Sequence, residues 1–253
     1  MITKLQVKYI QSLRQKKFRD EEGVFVAEGP KIINELLGAY TGGPEMIYAT
    51  AEWIAAHRSL LKNIAVQKIV EVKEPEMERL SFLQTPHSVL AVFKKPAPAP
   101  VHLSGTISLL LDGIQDPGNL GTIIRIADWF GITHIVCSTD CADAFAPKVV
   151  QGTMGSIARV QLLYTDLVNL VKEQAPLQLY AATLNGENIN NIQPVKEGVL
   201  VIGNESKGIR PALLERCQRR ITIPRLGYAE SLNAAVATGI ILSHLTSPTS
   251  PLR

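Results

Sequence analysis

Along the second half of the chain the apolar residues fall in short runs: Ile107 to Leu111, His134 to Ser138, Leu177 to Thr183, Val199 to Ile202 and Ile221 to Ile223. Such runs read as strands buried on both faces. Helical segments separate them, so the pattern predicts parallel pairing with crossovers. Ser231 through Leu245 reads as a closing helix, and Ser247-Pro248-Thr249-Ser250-Pro251 as a frayed tail.

The front of the chain is patterned differently. A basic helix over about Lys4 to Lys17 precedes Val24-Phe25-Val26-Ala27-Glu28-Gly29, and Pro30 is placed to open a helix through Leu37. Strand-like Met46 to Ala49, Val66 to Val72 and Val89 to Phe93 then alternate with helical stretches at Trp53 to Leu61 and Pro75 to Leu83. These elements make a small α/β domain. Between the halves lies Lys94-Lys95-Pro96-Ala97-Pro98-Ala99-Pro100, whose alternating prolines favour extended chain and withhold amide donors. The expected division is therefore 1–95, a linker at 96–104, and 105–253.

Composition narrows the function classes. With 253 residues, 46% of them hydrophobic, the chain can bury a substantial core. No apolar run approaches the roughly 18 residues that span a bilayer, and Met1 to Gln6 lacks a signal-peptide core, so a cytoplasmic protein without membrane association is expected. Cys137, Cys141 and Cys217 contain no CxxC pair and are expected to be reduced thiols. His57, His87, His102, His134 and His244 lack ligand spacing, and no metal is expected. The net charge of +3 is small, but Lys4, Lys8, Arg14, Lys16, Lys17 and Arg19 all precede the first acidic residue, Asp20. Arg216, Arg219, Arg220 and Arg225 flank the last strand. Clusters of this kind attract phosphate, although they also occur as plain solvated faces.

Three polar loops follow buried strands and can converge on one site. In Asp112-Gly113-Ile114-Gln115-Asp116-Pro117-Gly118-Asn119-Leu120-Gly121, Asn119 can cap the next helix, and Arg125 lies within that helix with Asp128 three residues on. Arg125 is then either half of a surface pair or a phosphate clamp at the strand ends, where open α/β sheets bind ligands. In Gly203-Asn204-Glu205-Ser206-Lys207-Gly208, a turn accounts for the glycines and Asn204, whereas Glu205 could hold an arginine or a cationic ligand or could simply face solvent. In Ser231-Leu232-Asn233, Ser231 can serve as the N-cap of a helix of small residues that permits close packing against another segment or subunit. None of the loops is a P-loop or GxGxxG turn, and the chain has no HExxH or GxSxG motif.

The ordered set Asn119-Leu120-Gly121-Thr122-Ile123-Ile124-Arg125, Ile202-Gly203-Asn204-Glu205-Ser206-Lys207-Gly208, and Ile223-Pro224 with Ser231-Leu232-Asn233 resembles the three motifs of the SpoU (TrmH-like) RNA methyltransferases of the SPOUT superfamily. Arg14-Gln15-Lys16-Lys17-Phe18-Arg19 and Gly23 to Gly29 are similar to the substrate-binding domain common in that family, so nearly the whole chain is covered. The resemblance implies an α/β protein: a C-terminal parallel-sheet domain with a trefoil knot, homodimeric through that domain, and a smaller N-terminal α/β RNA-binding domain. It implies S-adenosylmethionine as cofactor and methylation of a ribose 2′-hydroxyl in RNA, ribosomal in preference to transfer RNA. The rivals are a transfer-RNA 2′-O-methyltransferase, a non-catalytic RNA-binding protein of the same fold, and a base methyltransferase of the superfamily or a Rossmann-type methyltransferase, the last disfavoured by the poor fit of Asp112 to Gly118 to a glycine-rich turn. Carried over position by position, Gly203, Ile223 and Leu232 would hold the cofactor by backbone groups, with Asn204, Ser231 and Asn233 shaping its pocket. Arg125, Glu205 and Asn119 would be catalytic, and Lys16, Lys17 and Arg19 would bind RNA. Three positions depart from the usual pattern: Arg225 after Ile223-Pro224, His87 in Pro86-His87-Ser88, and Thr153 in Thr153-Met154-Gly155.

Overall fold

The computed structural model describes residues 2–97 and 99–246; the expected tail from Ser247 lies outside the described residues. The first elements are α1 (Lys4–Ser12), α2 (Lys16–Glu22), β1 (Val24–Glu28), α3 (Pro30–Ala39), β2 (Pro44–Ala49), α4 (Ala51–Ala56), α5 (Arg58–Leu61), β3 (Ile69–Glu71), α6 (Glu74–Leu80) and β4 (Val89–Lys94). There follow β5 (Ile107–Asp112), α7 (Pro117–Trp129), β6 (His134–Cys137), α8 (Pro147–Thr153), β7 (Gln161–Tyr164), α9 (Leu167–Glu173) and β8 (Leu179–Asn188), then β9 (Gly198–Gly203), α10 (Pro211–Leu214), β10 (Arg219–Thr222) and α11 (Ala234–Leu245). They form two compact units, Met1–Ala97 with Asp143–Arg159, and Pro98–Ala142 with Val160–Arg253.

The first unit is built on a four-stranded sheet in the order β1-β4-β2-β3, antiparallel except for β2 and β3. One face packs Ile10, Leu13, Met77 and Leu80 from α1, its following turn and α6; the other packs Ile32, Ile33 and Leu36 from α3. The single basic helix expected over Lys4 to Lys17 is two helices. Thr3 and Gln6 close a reciprocal capping box at the start of α1. The chain breaks after Ser12 because the Arg19 guanidinium donates to the carbonyls of Leu13 and Arg14, at 2.8 and 2.7 Å, which a continuous helix would have used internally.

Residues 143–159 are a correction to the expected division, which assigned them to the second domain. They sit between β6 and β7 in sequence, yet Val150 and Ile157 are buried in the core of the first unit and the Phe145 ring lies 5.0 Å from that of Phe25. Asp143 pairs with Arg19 at 2.5 Å and Arg159 with Glu35 at 2.6 Å. The linker needs correcting as well. Val101 and Leu103 are buried in the second unit, and the Gln174 amide fastens them by donating to the Val101 carbonyl and accepting from the Leu103 N–H. Apolar side chains at alternate positions turn the end of the proline-rich stretch into part of a core.

The second unit carries a six-stranded, all-parallel sheet in the order β10-β8-β9-β5-β6-β7. The chain runs outward from β5 through β6 to β7, then returns to the other side of β5 with β8 and β9. Chain direction thus switches at β5 and β9, the place where parallel α/β sheets open a ligand crevice at the strand C-termini. There Asp112 lies opposite Gly203 in register, so the first and second polar loops emerge side by side. The short β7, at the sheet edge, is not among the expected strands; it is four residues long, opens on polar Gln161 and is only half-buried. Among the described residues no helix is long and apolar enough to cross a membrane, and no cluster of potential metal ligands occurs.

Candidate functional site

The three loops meet at the C-terminal ends of β5, β9 and β10. Asp116, not Asn119, caps α7: its carboxylate accepts the Asn119 amide at 2.8 Å, with Pro117 in the first turn. That leaves the Asn119 side chain free, and it reaches across to the second loop, where its Nδ2 donates to Glu205 Oε1 at 2.6 Å. Its own Oδ1 accepts from Asn233 Nδ2 at 2.7 Å. One amide therefore ties together all three loops. Among the described residues Glu205 takes no arginine partner; its carboxylate is oriented by Asn119 instead.

Ser231 is not the cap of the last helix. Asn233 is, accepting the amides of Ala235 and Val236, so α11 begins at Ala234. Because Asn233 uses Oδ1 as the cap and Nδ2 toward Asn119, it locks the third loop to the first. In the second loop Asn204 makes the turn that sequence suggests: its Oδ1 accepts the amides of Ser206 and Lys207, and its backbone bridges to Gly208. Its Nδ2 also donates to the Gly113 carbonyl at 2.8 Å, fastening this loop to the first.

A cleft of about 740 Å³ opens between β8, β9 and the chain following β10. Five of the six expected cofactor positions line it: Gly203, Asn204, Ile223, Ser231 and Leu232, together with Glu205. Asn233 does not line it; that expectation is corrected to a role in joining loops, since both polar atoms of its amide are committed elsewhere. The size suits a nucleoside-like ligand. Apolar Ile202, Ile223 and Ile241 offer walls for a planar base, and the Leu232 amide has no protein partner among the described residues. A single carboxylate, Glu205, would face a cationic group. S-adenosylmethionine, with its adenine, sulfonium and ammonium, fits this set.

Gly203 has to be glycine because the loop closes on itself there. A Cβ at this position would lie 2.4 Å from the Gly208 carbonyl carbon and the Ile209 nitrogen, both backbone atoms. Gly203→Ala should therefore force the loop open, with a cost of about 1–3 kcal/mol expressed as roughly 5- to 150-fold weaker cofactor binding. Calorimetry with S-adenosylmethionine would measure it, and parental affinity would show that the loop geometry does not govern the cleft.

Arg125 lies on the exposed side of α7, six residues beyond Asn119 and so roughly 9 Å further along the helix. Among the described residues it forms no ion pair with Asp128 or with any other carboxylate. The surface-pair reading of Arg125 is set aside accordingly. Asn119 and Glu205 are brought together; Arg125 stands apart from them with a free guanidinium.

The three expected RNA-binding residues separate in the first unit. Lys16 and Lys17 are exposed, each with a carboxylate one turn on, Asp20 at 2.6 Å and Glu21 at 3.8 Å. Arg19 is only 2% exposed and all its contacts are internal: the two carbonyls of the helix break and Asp143. It is a structural residue that cannot reach a phosphate. Its place in a basic run had concealed this, since a run of charges does not reveal which member turns inward.

Residues 106–243 match the SpoU rRNA Methylase family model, and residues 4–91 match the MRM3-like substrate binding domain. The 23S rRNA (guanosine(2553)-2′-O)-methyltransferase RlmP of Bacillus subtilis is 30% identical over 94% of this chain and 95% of its own length. Among solved structures, the AdoMet-bound rRNA methyltransferase from Sinorhizobium meliloti aligns with a TM-score of 0.84 and 31% identity, covering 97% of this chain and 95% of that one. A TrmH-family protein from Porphyromonas gingivalis aligns with a TM-score of 0.83 and 38% identity, covering 97% and 98%. With a family model spanning more than half of the chain, a relative matched over nearly its whole length, and three motif loops joined through Asn119, the chain belongs to the SpoU rRNA methylase family.

Proposed function

We propose that this protein transfers a methyl group from S-adenosylmethionine to a ribose 2′-hydroxyl of RNA, with ribosomal RNA as the substrate. The observation that carries the reading is the cleft bounded by Gly203, Ile223 and Leu232, beside a Glu205 carboxylate held by Asn119. The name of the Bacillus subtilis relative supports the ribosomal substrate and the 2′-oxygen. The cytoplasm is the compartment in which such a substrate is met.

When bound, the cofactor supplies a methyl already activated by its sulfonium, so much of the rate enhancement comes from holding the ribose oxygen in line. Arg125, exposed and unpaired, is suited to gripping a phosphate next to the target ribose. A guanidinium, with its positive charge spread over three nitrogens, is a poor base, so orientation comes first and proton transfer second. Glu205 is pinned through one oxygen by Asn119, which leaves the other directed to no protein donor among the described residues. Mapping ribose methylation in total RNA from cells with and without this protein tests the function. One ribosomal position should lose its methyl group; an unchanged map would overturn the reading.

The same reading includes a homodimer through the second unit and a trefoil knot. Val236 and Ile240 are exposed one turn apart on α11, and Trp129 is 84% exposed on α7, which packs on α11. Apolar side chains so placed on adjoining helices favour a second copy as cover. The knot is carried over from the family resemblance, and the sheet order β10-β8-β9-β5-β6-β7 is compatible with it. Val236→Glu combined with Ile240→Glu should convert the full chain from dimer to monomer in light scattering at micromolar concentration. Parent protein that is already monomeric under those conditions would sink the dimer. The full chain is the right material, because a C-terminal fragment would strip the core partners from residues 143–159.

For RNA, Lys16→Gln with Lys17→Gln should weaken binding and flatten its salt dependence, since fewer counterions are released. Cofactor affinity should not change. Filter binding across a salt series reads the slope, and an unaltered slope would remove these lysines from the interface.

A further inference from the structure

Beside the motif loops lies a charged cluster that methyl transfer does not use, with Arg210 and Asp140 half-exposed and Asp112 buried. Asp112, at the end of β5, is 2% exposed and receives both the Arg210 amide at 2.7 Å and the Arg210 Nε at 2.6 Å, one on each carboxylate oxygen. The same guanidinium reaches a second carboxylate, with NH2 donating to Asp140 Oδ1 at 2.6 Å. That oxygen also accepts from Ser138 Oγ at 2.6 Å, and Ser138 Oγ in turn accepts from the Gly113 amide at 2.8 Å. Gly113 then accepts Asn204 Nδ2 through its carbonyl. The bonds close a ring: Arg210 follows the second motif loop directly, and Asn204 opens it.

We propose that Arg210 is a positioning residue for the cofactor cleft, fixing the loop 203–209 against the first motif loop through Asp112 and through the Asp140–Ser138–Gly113–Asn204 relay. Three features distinguish it from an ordinary surface ion pair. Its partner Asp112 is buried in the sheet at the position opposite Gly203, so the guanidinium compensates a carboxylate that has no other cation among the described ion pairs. Its planar fork puts separate nitrogens on two carboxylates, Nε on Asp112 and NH2 on Asp140, where a lysine would offer a single nitrogen. Asp140 is held below its ordinary carboxyl range by the Ser138 hydroxyl and then by Arg210, so the relay stays ionised. Both ends of the second loop are thereby tied to the first, at Asn204 and at Arg210, while Gly203 to Gly208 form one wall of the cleft.

The proposal rests on the reading of the cleft as an S-adenosylmethionine site, and the test separates the two. Calorimetry of the full chain with S-adenosylmethionine comes first; a parent protein that does not bind defeats the cleft reading and the clamp with it. Given binding by the parent, Arg210→Met should raise the cofactor Kd and KM about tenfold or more, with kcat at saturating cofactor changed far less. Arg210→Lys should fall between the two, since it keeps the charge but loses the fixed fork of separate nitrogens. Parental Kd and KM in Arg210→Met would overturn the proposal, and a lowered melting temperature alongside them would assign Arg210 to stability alone. If Arg210→Met does not fold, Asp140→Asn decides: it leaves the Arg210–Asp112 pair intact and weakens only the relay. A severalfold rise in cofactor Kd supports the clamp, and an unchanged Kd overturns it.

Discussion

Arg125→Ala should bind S-adenosylmethionine as the parent does and yet methylate RNA roughly 100- to 10,000-fold more slowly. Arg125 does not line the cleft, so its loss removes no cofactor contact. The N-terminal end of its helix is held by the Asp116 cap and by the tie from Asn119 to Glu205 and Asn233, and Arg125 takes no part in either, so truncating an exposed side chain should leave the fold intact. What disappears is the group that would place the ribose phosphate, and a displacement near 1 Å can cost about 100-fold in rate. Single-turnover methylation with saturating RNA, alongside cofactor calorimetry, separates these effects. A variant working at the parental rate would refute the catalytic assignment, leaving Arg125 as an ordinary solvated side chain.

Arg19→Met should destabilise the protein by about 3 kcal/mol, a far larger effect than any neighbouring lysine produces. The substitution strands Asp143, which is mostly buried, and two backbone carbonyls at the helix break in one step. Removing one partner of a buried pair costs more than the pair ever contributed, because the remaining charge stays desolvated. Lys16 and Lys17 are partnered in open solvent, where such pairs contribute about 0.2–1 kcal/mol, so their substitution should barely move stability. Urea denaturation followed by tryptophan fluorescence at Trp53, in the first-unit core, would report the loss directly. An unchanged midpoint together with weakened RNA binding would return Arg19 to the role that the basic run suggested.

The contrast between Arg19 and Lys16 shows what a local pattern can carry. Strands such as Ile107 to Leu111 and Val199 to Ile202 are legible because burial on both faces of a parallel sheet demands an unbroken apolar run. The motif loops are legible because a tight turn needs its glycines and asparagine at fixed spacing, as at Asn204 and Gly208. Both signals lie within a few residues of their cause. The break after Ser12 was hidden, since its cause is a guanidinium arriving from Arg19 and held from its far side by Asp143.

The chain by itself therefore determined the parallel sheet and the position of the three loops at strand ends. Tertiary structure alone decided how these parts are joined. Asn119 meets Glu205 and Asn233 across 86 and 114 residues, Arg210 meets Asp112 across 98, and Arg19 meets Asp143 across 124. It also decided that residues 143–159 complete the core of the first unit rather than the second. Contacts between distant segments leave no periodicity in either segment, because the free energy of each belongs to the pair and exists only once the sheet has brought the two together.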